Sequence, residues 1–217
     1  MTTIRKFEEK CAVCGKTSEQ DIIMSTSTWG YPDLDLRPAE MQRSSMFAWL
    51  KECPHCGYVA GTLENKLEAS PDILKSDAYL TCEGKSFKYD LSKKFYKRYL
   101  ILKEENNHKG EFFSLLHCAW ACDDNDDELA VEIRKLALNS IDKIVAEDDN
   151  EKNNLKLIKA DLLRRSLQFD KLINEFKDLN LTDKNQNDVI KFQIELAMKK
   201  DSDCYTVEDA LKKQIIY

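Results

Sequence analysis

Cys11-Ala-Val-Cys14-Gly15 and Cys53-Pro-His-Cys56-Gly57 decide how the front of this 217-residue chain folds. In each, two cysteines across a two-residue gap can turn both sulfurs towards one point. The glycine that follows lets the backbone take a positive φ and aim its N–H groups back at the sulfurs. Two such turns supply Cys11, Cys14, Cys53 and Cys56, a complete tetrahedral set for zinc. The expected cofactor is therefore a structural Zn2+ ion. Four thiolates leave no position for water or substrate, so the metal is expected to hold the fold and do no chemistry. The interval Gly15–Glu52 is longer than the roughly 15–20 residues usual between the pairs of a zinc ribbon. That length matters little once the two turns meet. Both turns carry the same glycine, and no βαβ pattern surrounds either, which argues against a redox dithiol. His55, inside the second turn, is expected beside the sulfurs or exposed.

Working outward, Met46-Phe-Ala-Trp-Leu50 and Tyr58-Val-Ala60 flank the second turn and suggest the hairpin of a zinc ribbon. All four prolines lie at or before Pro71, and all six glycines at or before Gly110. Beyond Gly110 the chain is helix material without strong breakers. Ser70-Pro71-Asp72 suggests an N-cap followed by proline at the first helical position. Apolar stripes then recur at helical spacing: Leu91, Phe95, Tyr99 and Leu102; Phe112, Phe113, Leu116 and Trp120; Leu129, Ile133, Leu136 and Ile144; Leu155, Ile158, Leu162 and Leu163; Phe169, Leu172, Ile173 and Phe176; Ile190, Ile194 and Met198. Thr206-Val-Glu-Asp209 resembles a capping box that opens a last short helix. The fold expected is thus a small β zinc ribbon over residues 1–65, with a long insert between its knuckles. An all-α, tetratricopeptide-like array of about seven helices over 66–217 follows. The spacing is not a strict 34-residue repeat, so a regular solenoid and an irregular helical bundle both stay open.

The insert Trp29-Gly-Tyr-Pro-Asp-Leu-Asp-Leu-Arg-Pro-Ala-Glu-Met-Gln-Arg43 is unusual. Asp33, Asp35, Arg37, Glu40 and Arg43 sit among aromatics and prolines. One reading is an ordered loop that packs Trp29, Leu34, Leu36 and Met41 over the ribbon with its charges paired. The other is a binding surface formed by those five charged residues, since rigid polar loops on a scaffold often carry recognition. Asp33 and Asp35 could also serve an acid–base enzyme if they shared a cleft.

Together these segments resemble a bacterial family of unknown function, DUF2225. The resemblance rests on the two knuckles, on Asp33-Leu-Asp-Leu-Arg-Pro38 with Glu40-Met-Gln-Arg43, and on the Leu-His-Cys-Ala-Trp120 helix, and it covers most of residues 8–145. It implies a zinc-binding front followed by tetratricopeptide-like helices, and it brings no established activity.

Other motifs are weaker. Asp123-Asp-Asn-Asp-Asp-Glu128 lacks the glycine and the final glutamate of a calcium loop and reads as a polar turn before the Leu129 helix. His117, Cys118 and Cys122 read as residues packed beside Trp120 rather than as a second metal site. Lys93, Lys94, Lys97 and Arg98, interleaved with Tyr96 and Tyr99, form the best basic cluster and read as a solvated helix face. The formal charge of −6 argues against broad nucleic-acid binding. The first sixty residues hold seven basic against eight acidic side chains, so the front has no basic excess. No run approaches the roughly 18 apolar residues of a membrane span. The first ten residues lack a signal-peptide core. The expectation is a cytoplasmic, non-enzymatic protein whose partner is a protein or peptide; a nucleic-acid-binding ribbon and an enzyme sited at 29–43 are the alternatives.

Overall fold

The computed structural model describes residues 1–212; the expected helical region runs on to 217, and its last five residues lie outside the described ones. Strand β1 (Thr3–Lys10) pairs antiparallel with β2 (Thr17–Ser25), and the first knuckle is the turn between them. A 3-10 helix covers Arg43–Ala48. Two short strands, β3 (Lys51–Glu52) and β4 (Val59–Ala60), then bracket the second knuckle. A second 3-10 helix, Pro71–Lys75, leads into α1 (Asp77–Thr81), α2 (Asp90–Glu104), α3 (His108–Asp123), α4 (Leu129–Ile141), α5 (Asp149–Arg165), α6 (Phe169–Phe176), α7 (Lys184–Met198) and α8 (Val207–Lys212). Among the described residues the β content is two small two-stranded antiparallel sheets, and about half of the residues are helical.

The local signals account for most of these boundaries. Ser70 Oγ accepts from the Asp72 amide, as its place before Pro71 suggests. Asn107, Asp148 and Asp183 cap α3, α5 and α7 by accepting from the amide three residues on. The Thr206 box closes reciprocally: Thr206 Oγ1 accepts from Asp209 N at 3.2 Å, and the Asp209 carboxylate accepts from Thr206 N at 2.8 Å. The helix stops are less conventional. With no glycine after Gly110, the chain turns through Asp126 (φ 48°), Leu167 (φ 64°) and Lys200 (φ 56°) in the left-handed region. Each such residue costs about 1–2 kcal/mol, which packing on both sides of the turn must offset.

One expectation is corrected. Met46–Leu50 does not form the strand entering the second knuckle: Arg43–Ala48 is 3-10 helix, and the strand is Lys51–Glu52. Ser45, Met46 and Ala48 are buried while Phe47 is exposed, a helical spacing rather than an alternating one. Ser45 Oγ donates to the Gln42 carbonyl and accepts from Trp49 Nε1, which fixes the tight turn. The hairpin β1–β2 carries no apolar alternation strong enough to announce it. Its residues are mostly exposed, and the closed knuckle at its tip aligns the two strands.

The helices pack in chain order: α2 on α3, α3 on α4, α4 on α5, and α5 on both α6 and α7, with α7 on α8. Helix α3 is the centre. Phe112, Leu115, Leu116, Cys118, Ala119, Trp120, Ala121 and Cys122 are all buried, so the helix is enclosed on nearly every side. The hydrophobic core is one cluster that runs from Cys11 and Leu34 through Tyr58 and Leu63 to Ala210. The front and the helices therefore share an interior. Leu115 has no solvent exposure, so Leu115→Ala should lower unfolding free energy by about 2–5 kcal/mol, as measured by urea denaturation.

Candidate metal centre and the buried charge lattice

The two knuckles fold as copies of one turn. Gly15 N donates to the Cys11 carbonyl at 2.8 Å, and Gly57 N to the Cys53 carbonyl at 2.9 Å. Cys11 N donates to the Lys16 carbonyl and Cys53 N to the Tyr58 carbonyl, both at 2.9 Å. Gly15 and Gly57 hold φ of 72° and 74°, values that an L side chain adopts only under strain. The backbone amides of Lys16 and Tyr58 point at Cys14 and Cys56, the same place in each turn.

These turns meet. Cys11 Sγ lies 3.7 Å from Cys56 Sγ, and Cys14 Sγ lies 3.7 Å from Cys53 Sγ. All four sulfurs fall within 4.8 Å of one another. A tetrahedron with metal–sulfur arms of about 2.3 Å has edges of about 3.8 Å, so the donor set fits one metal ion. Burial raises the Cys11 and Cys56 thiols, whereas the Lys16 amide lowers Cys14. His55 is exposed and stands outside the cluster. Among the described residues this is the only group of three or more candidate ligands that converges.

Side chains from beyond the knuckles hold them in place. The Glu9 carboxylate accepts from Leu63 N at 2.7 Å and from Thr62 Oγ1 at 3.0 Å, and Ala12 N donates to the Leu63 carbonyl at 2.8 Å. At the second turn, Tyr79 Oη donates to the Gly57 carbonyl at 2.6 Å. Lys97 pairs with Glu52 at 2.7 Å and lies over the Tyr79 ring, while Arg98 reaches the Val59 carbonyl. Part of the basic run on α2 is thus not a solvated face; it clamps the second knuckle. Sequence reading missed Tyr79 and Glu9, because neither sits in a motif.

The insert residues separate by depth. Asp33, Asp35 and Arg37 are buried, Arg43 is half-buried and Glu40 is exposed. A surface made of all five is therefore not what the fold presents. Leu34 enters the core and Leu36 packs against it, but Trp29 and Met41 stay exposed, contrary to the expected packing. Asp33 pairs with Arg43 at 2.5 Å and accepts from Cys204 Sγ at 3.4 Å. Asp35 accepts from Trp120 Nε1 at 2.6 Å and from Arg37 N at 3.2 Å, with Arg165 at 3.7 Å. Arg37 reaches Asp124 at the end of α3 at 2.5 Å. Arg134 on α4 forks onto Asp123, which Arg165 on α5 also contacts at 2.9 Å. Arg164, fully buried, pairs with Asp161 at 2.7 Å and donates to the Asp201 and Asp203 carbonyls. The strand-like turn at 32–34 completes the seam: Leu34 N donates to the Tyr205 carbonyl and Val207 N to the Pro32 carbonyl, both at 2.9 Å.

This arrangement is a balanced lattice: Asp33, Asp35, Asp123, Asp124 and Asp161 face Arg37, Arg43, Arg134, Arg164 and Arg165. Its members differ in proton affinity. Burial, helped by the charge of Asp161, raises the Asp35 carboxyl; burial also raises Asp33. Asp123 is lowered despite its burial, because Arg134, Arg165 and Arg37 surround it. The cavity beside Asp35, about 300 Å³, is walled by Leu36, Phe113, Trp120, Leu155 and Ile158, with Glu147 and Glu151 also lining it. Of the five charged insert residues, Asp35 lines this cavity, and Asp33, Arg37, Glu40 and Arg43 do not.

His117 sits against Trp49, Phe95, Phe113 and Trp120, and burial with the Arg37 charge pushes its pKa down to about 3. Cys118 donates to the Ser92 carbonyl. Both are interior packing groups. In the 123–128 turn, Asp127 accepts from Leu129 N at 3.1 Å and Lys88 N at 2.9 Å, while Asp123 and Asp124 serve arginines.

Comparison of the chain with protein-family models, curated protein sequences and solved structures returned no significant match. Among the described residues, no helix is long and apolar enough to cross a membrane.

The lattice makes a pH-dependent prediction. A carboxyl with a depressed folded pKa stabilises the fold above its unfolded value and loses that contribution as pH falls through the folded pKa. Asp123→Asn should therefore cost about 3 kcal/mol near neutral pH, because buried Arg134 loses its charge partner and Arg165 the nearer of its two. The gap to the unaltered protein should close as pH falls below 3.8, the ordinary value of this carboxyl. Asp33 and Asp35 act in the opposite sense, most favourable at low pH and less so as pH rises through their raised folded values. Urea titrations across pH read both effects.

Proposed function

We propose that this protein is a zinc-binding, non-enzymatic interaction scaffold, in which a structural Zn(Cys)4 site fixes the front and the helical stack presents a surface to a protein or peptide partner. The observation that carries the metal half is the convergence of four sulfurs from two matching turns, at edge lengths suited to a tetrahedral ion. An all-sulfur tetrahedral set favours zinc or iron, and a filled shell suits a structural ion better than a reactive one. The small strands around the knuckles bury little apolar surface, so metal binding would supply much of the folding free energy there. The front is read as a zinc ribbon and the helices as tetratricopeptide-like, in keeping with the resemblance to the DUF2225 family.

The scaffold half is supported by apolar concavities along the helices. One is the cavity between α3 and α5; another, of about 290 Å³, lies among Ile141, Ile144, Leu155, Phe176 and Leu179. Stacked helices build such extended recognition surfaces. A cytoplasmic setting, where thiols stay reduced, suits eight free cysteines.

Metal analysis of the purified chain should give one zinc per molecule. Cys53→Ser should lose it, together with amide protection in β1, β2 and β4, while the helical circular dichroism of α2–α7 persists. Iron in place of zinc, or substoichiometric metal, would overturn the metal assignment. Cross-linking through photoreactive residues at Phe113 and Ile144 tests the scaffold: a reproducible protein adduct supports it, and an adduct-free protein in its native extract removes it.

A further inference from the structure

The hairpin β1–β2 leaves an unusual edge. Among the described residues, β1 pairs with β2 alone. Strand β2 is the inner one, half-buried from Gln20 to Ile23 and in contact with the Arg43–Ala48 helix. Strand β1 is the outer one, and Arg5, Lys6, Phe7 and Glu8 are exposed. A bare edge with unpaired N–H and C=O groups is a template for another strand, and proteins usually blunt it with charged side chains, lysine above all, or with proline. Here the charges do something else. Reading Arg5-Lys6-Phe7-Glu8-Glu9, two positive residues precede the phenylalanine and two negative ones follow it.

We propose that the outer edge of β1 pairs antiparallel with β1 of a second copy of this chain, about a two-fold axis through Phe7. Antiparallel pairing places residue 7 − k opposite residue 7 + k. Lys6 then meets Glu8 of the second copy, Glu8 meets Lys6, and the two Phe7 rings, each 42% exposed in the single chain, lie side by side. The result is a four-stranded sheet ordered β2-β1-β1-β2. The register within the chain favours this. Glu8 lies directly opposite Glu19 on β2, a like-charge pair, while Lys6 lies opposite Asp21 and bridges to Glu19 at 2.9 Å. A second Lys6 beside Glu8 relieves the repulsion that the isolated hairpin carries. Glu9 contributes less, because its carboxylate is already engaged by Leu63 and Thr62. The pairing is distinct from the scaffold surface on the helices, and neither depends on the other. An eight-residue edge is a small interface, so the dimer is a weak one that fills at high protein concentration.

The test is sedimentation velocity on the full-length, metal-loaded protein from low micromolar to near-millimolar concentration. The unaltered chain should move from monomer to dimer over this range. Lys6→Glu and Glu8→Lys each set two like-charge pairs across the two-fold, and each should weaken association about tenfold or more. Glu8→Lys also removes the clash with Glu19, so lost association in that variant, with circular dichroism and zinc content unchanged, is not a folding defect. Mixing the two single variants sets an acid against a base at both cross-axis positions once more, with the signs exchanged at one of them. The mixture should therefore restore a dimer that neither variant forms alone. A monomer at every concentration overturns the proposal. So does dimerisation that both charge reversals leave unchanged, which would place the contact elsewhere, and so does a mixture that stays monomeric.

Discussion

The meeting of two cysteine turns separated by 38 residues is the constraint from which the rest of the front follows. Once Cys11, Cys14, Cys53 and Cys56 converge, everything between them becomes a closed loop that must leave the site and return to it. Its entropy of closure grows only slowly with length, so the long interval is tolerable if the loop finds partners of its own. It finds them in the helices. The segment 33–37 is gripped by Trp120, Asp124 and Arg165, and its backbone is joined to residues 205–207. The four-cysteine cluster and the helical stack are therefore joined through this insert.

The seam between them is ionic where an apolar seam would have been simpler. Burying an aspartate such as Asp35 is costly, and the cost is tolerable only because hydrogen bonds and guanidinium groups surround it. Such a lattice contributes less to net stability than its distances suggest. What it adds is selectivity, because a misplaced α4 would strand Arg134 in the interior without the carboxylate of Asp123. The opposite proton affinities of Asp123 and Asp35 show the same balance from the other side: the first is dominated by its arginines, the second by its burial.

Much of the helical layout was legible because its signals are local. Ser70 before Pro71, the reciprocal Thr206–Asp209 box and the stripes at helical spacing each depend on neighbours a few residues away. The same locality explains the misreadings. Met46–Leu50 carries strand-like residues, yet Ser45 ties it into a 3-10 turn. The insert charges look like a surface when read in order, but Asp33, Asp35 and Arg37 turn inward because their partners come from α3, α5 and the 201–205 segment. No spacing rule links residue 35 to residues 120 and 165. Tyr79 and Glu9 were invisible for the same reason, since each acts on a backbone group more than twenty residues away.

By itself, the order of residues determined that four cysteines sit in two equivalent turns able to present sulfurs to one ion, and that the chain after Gly110 is helical. Glycine geometry and helical periodicity are properties of short segments, and short segments keep them in any context. Only the tertiary structure decided that the insert is a buried strut, that part of the α2 basic run clamps a knuckle, and that β1 carries an open edge. Each of these depends on which distant group occupies the facing position, and only the packed chain supplies that neighbour.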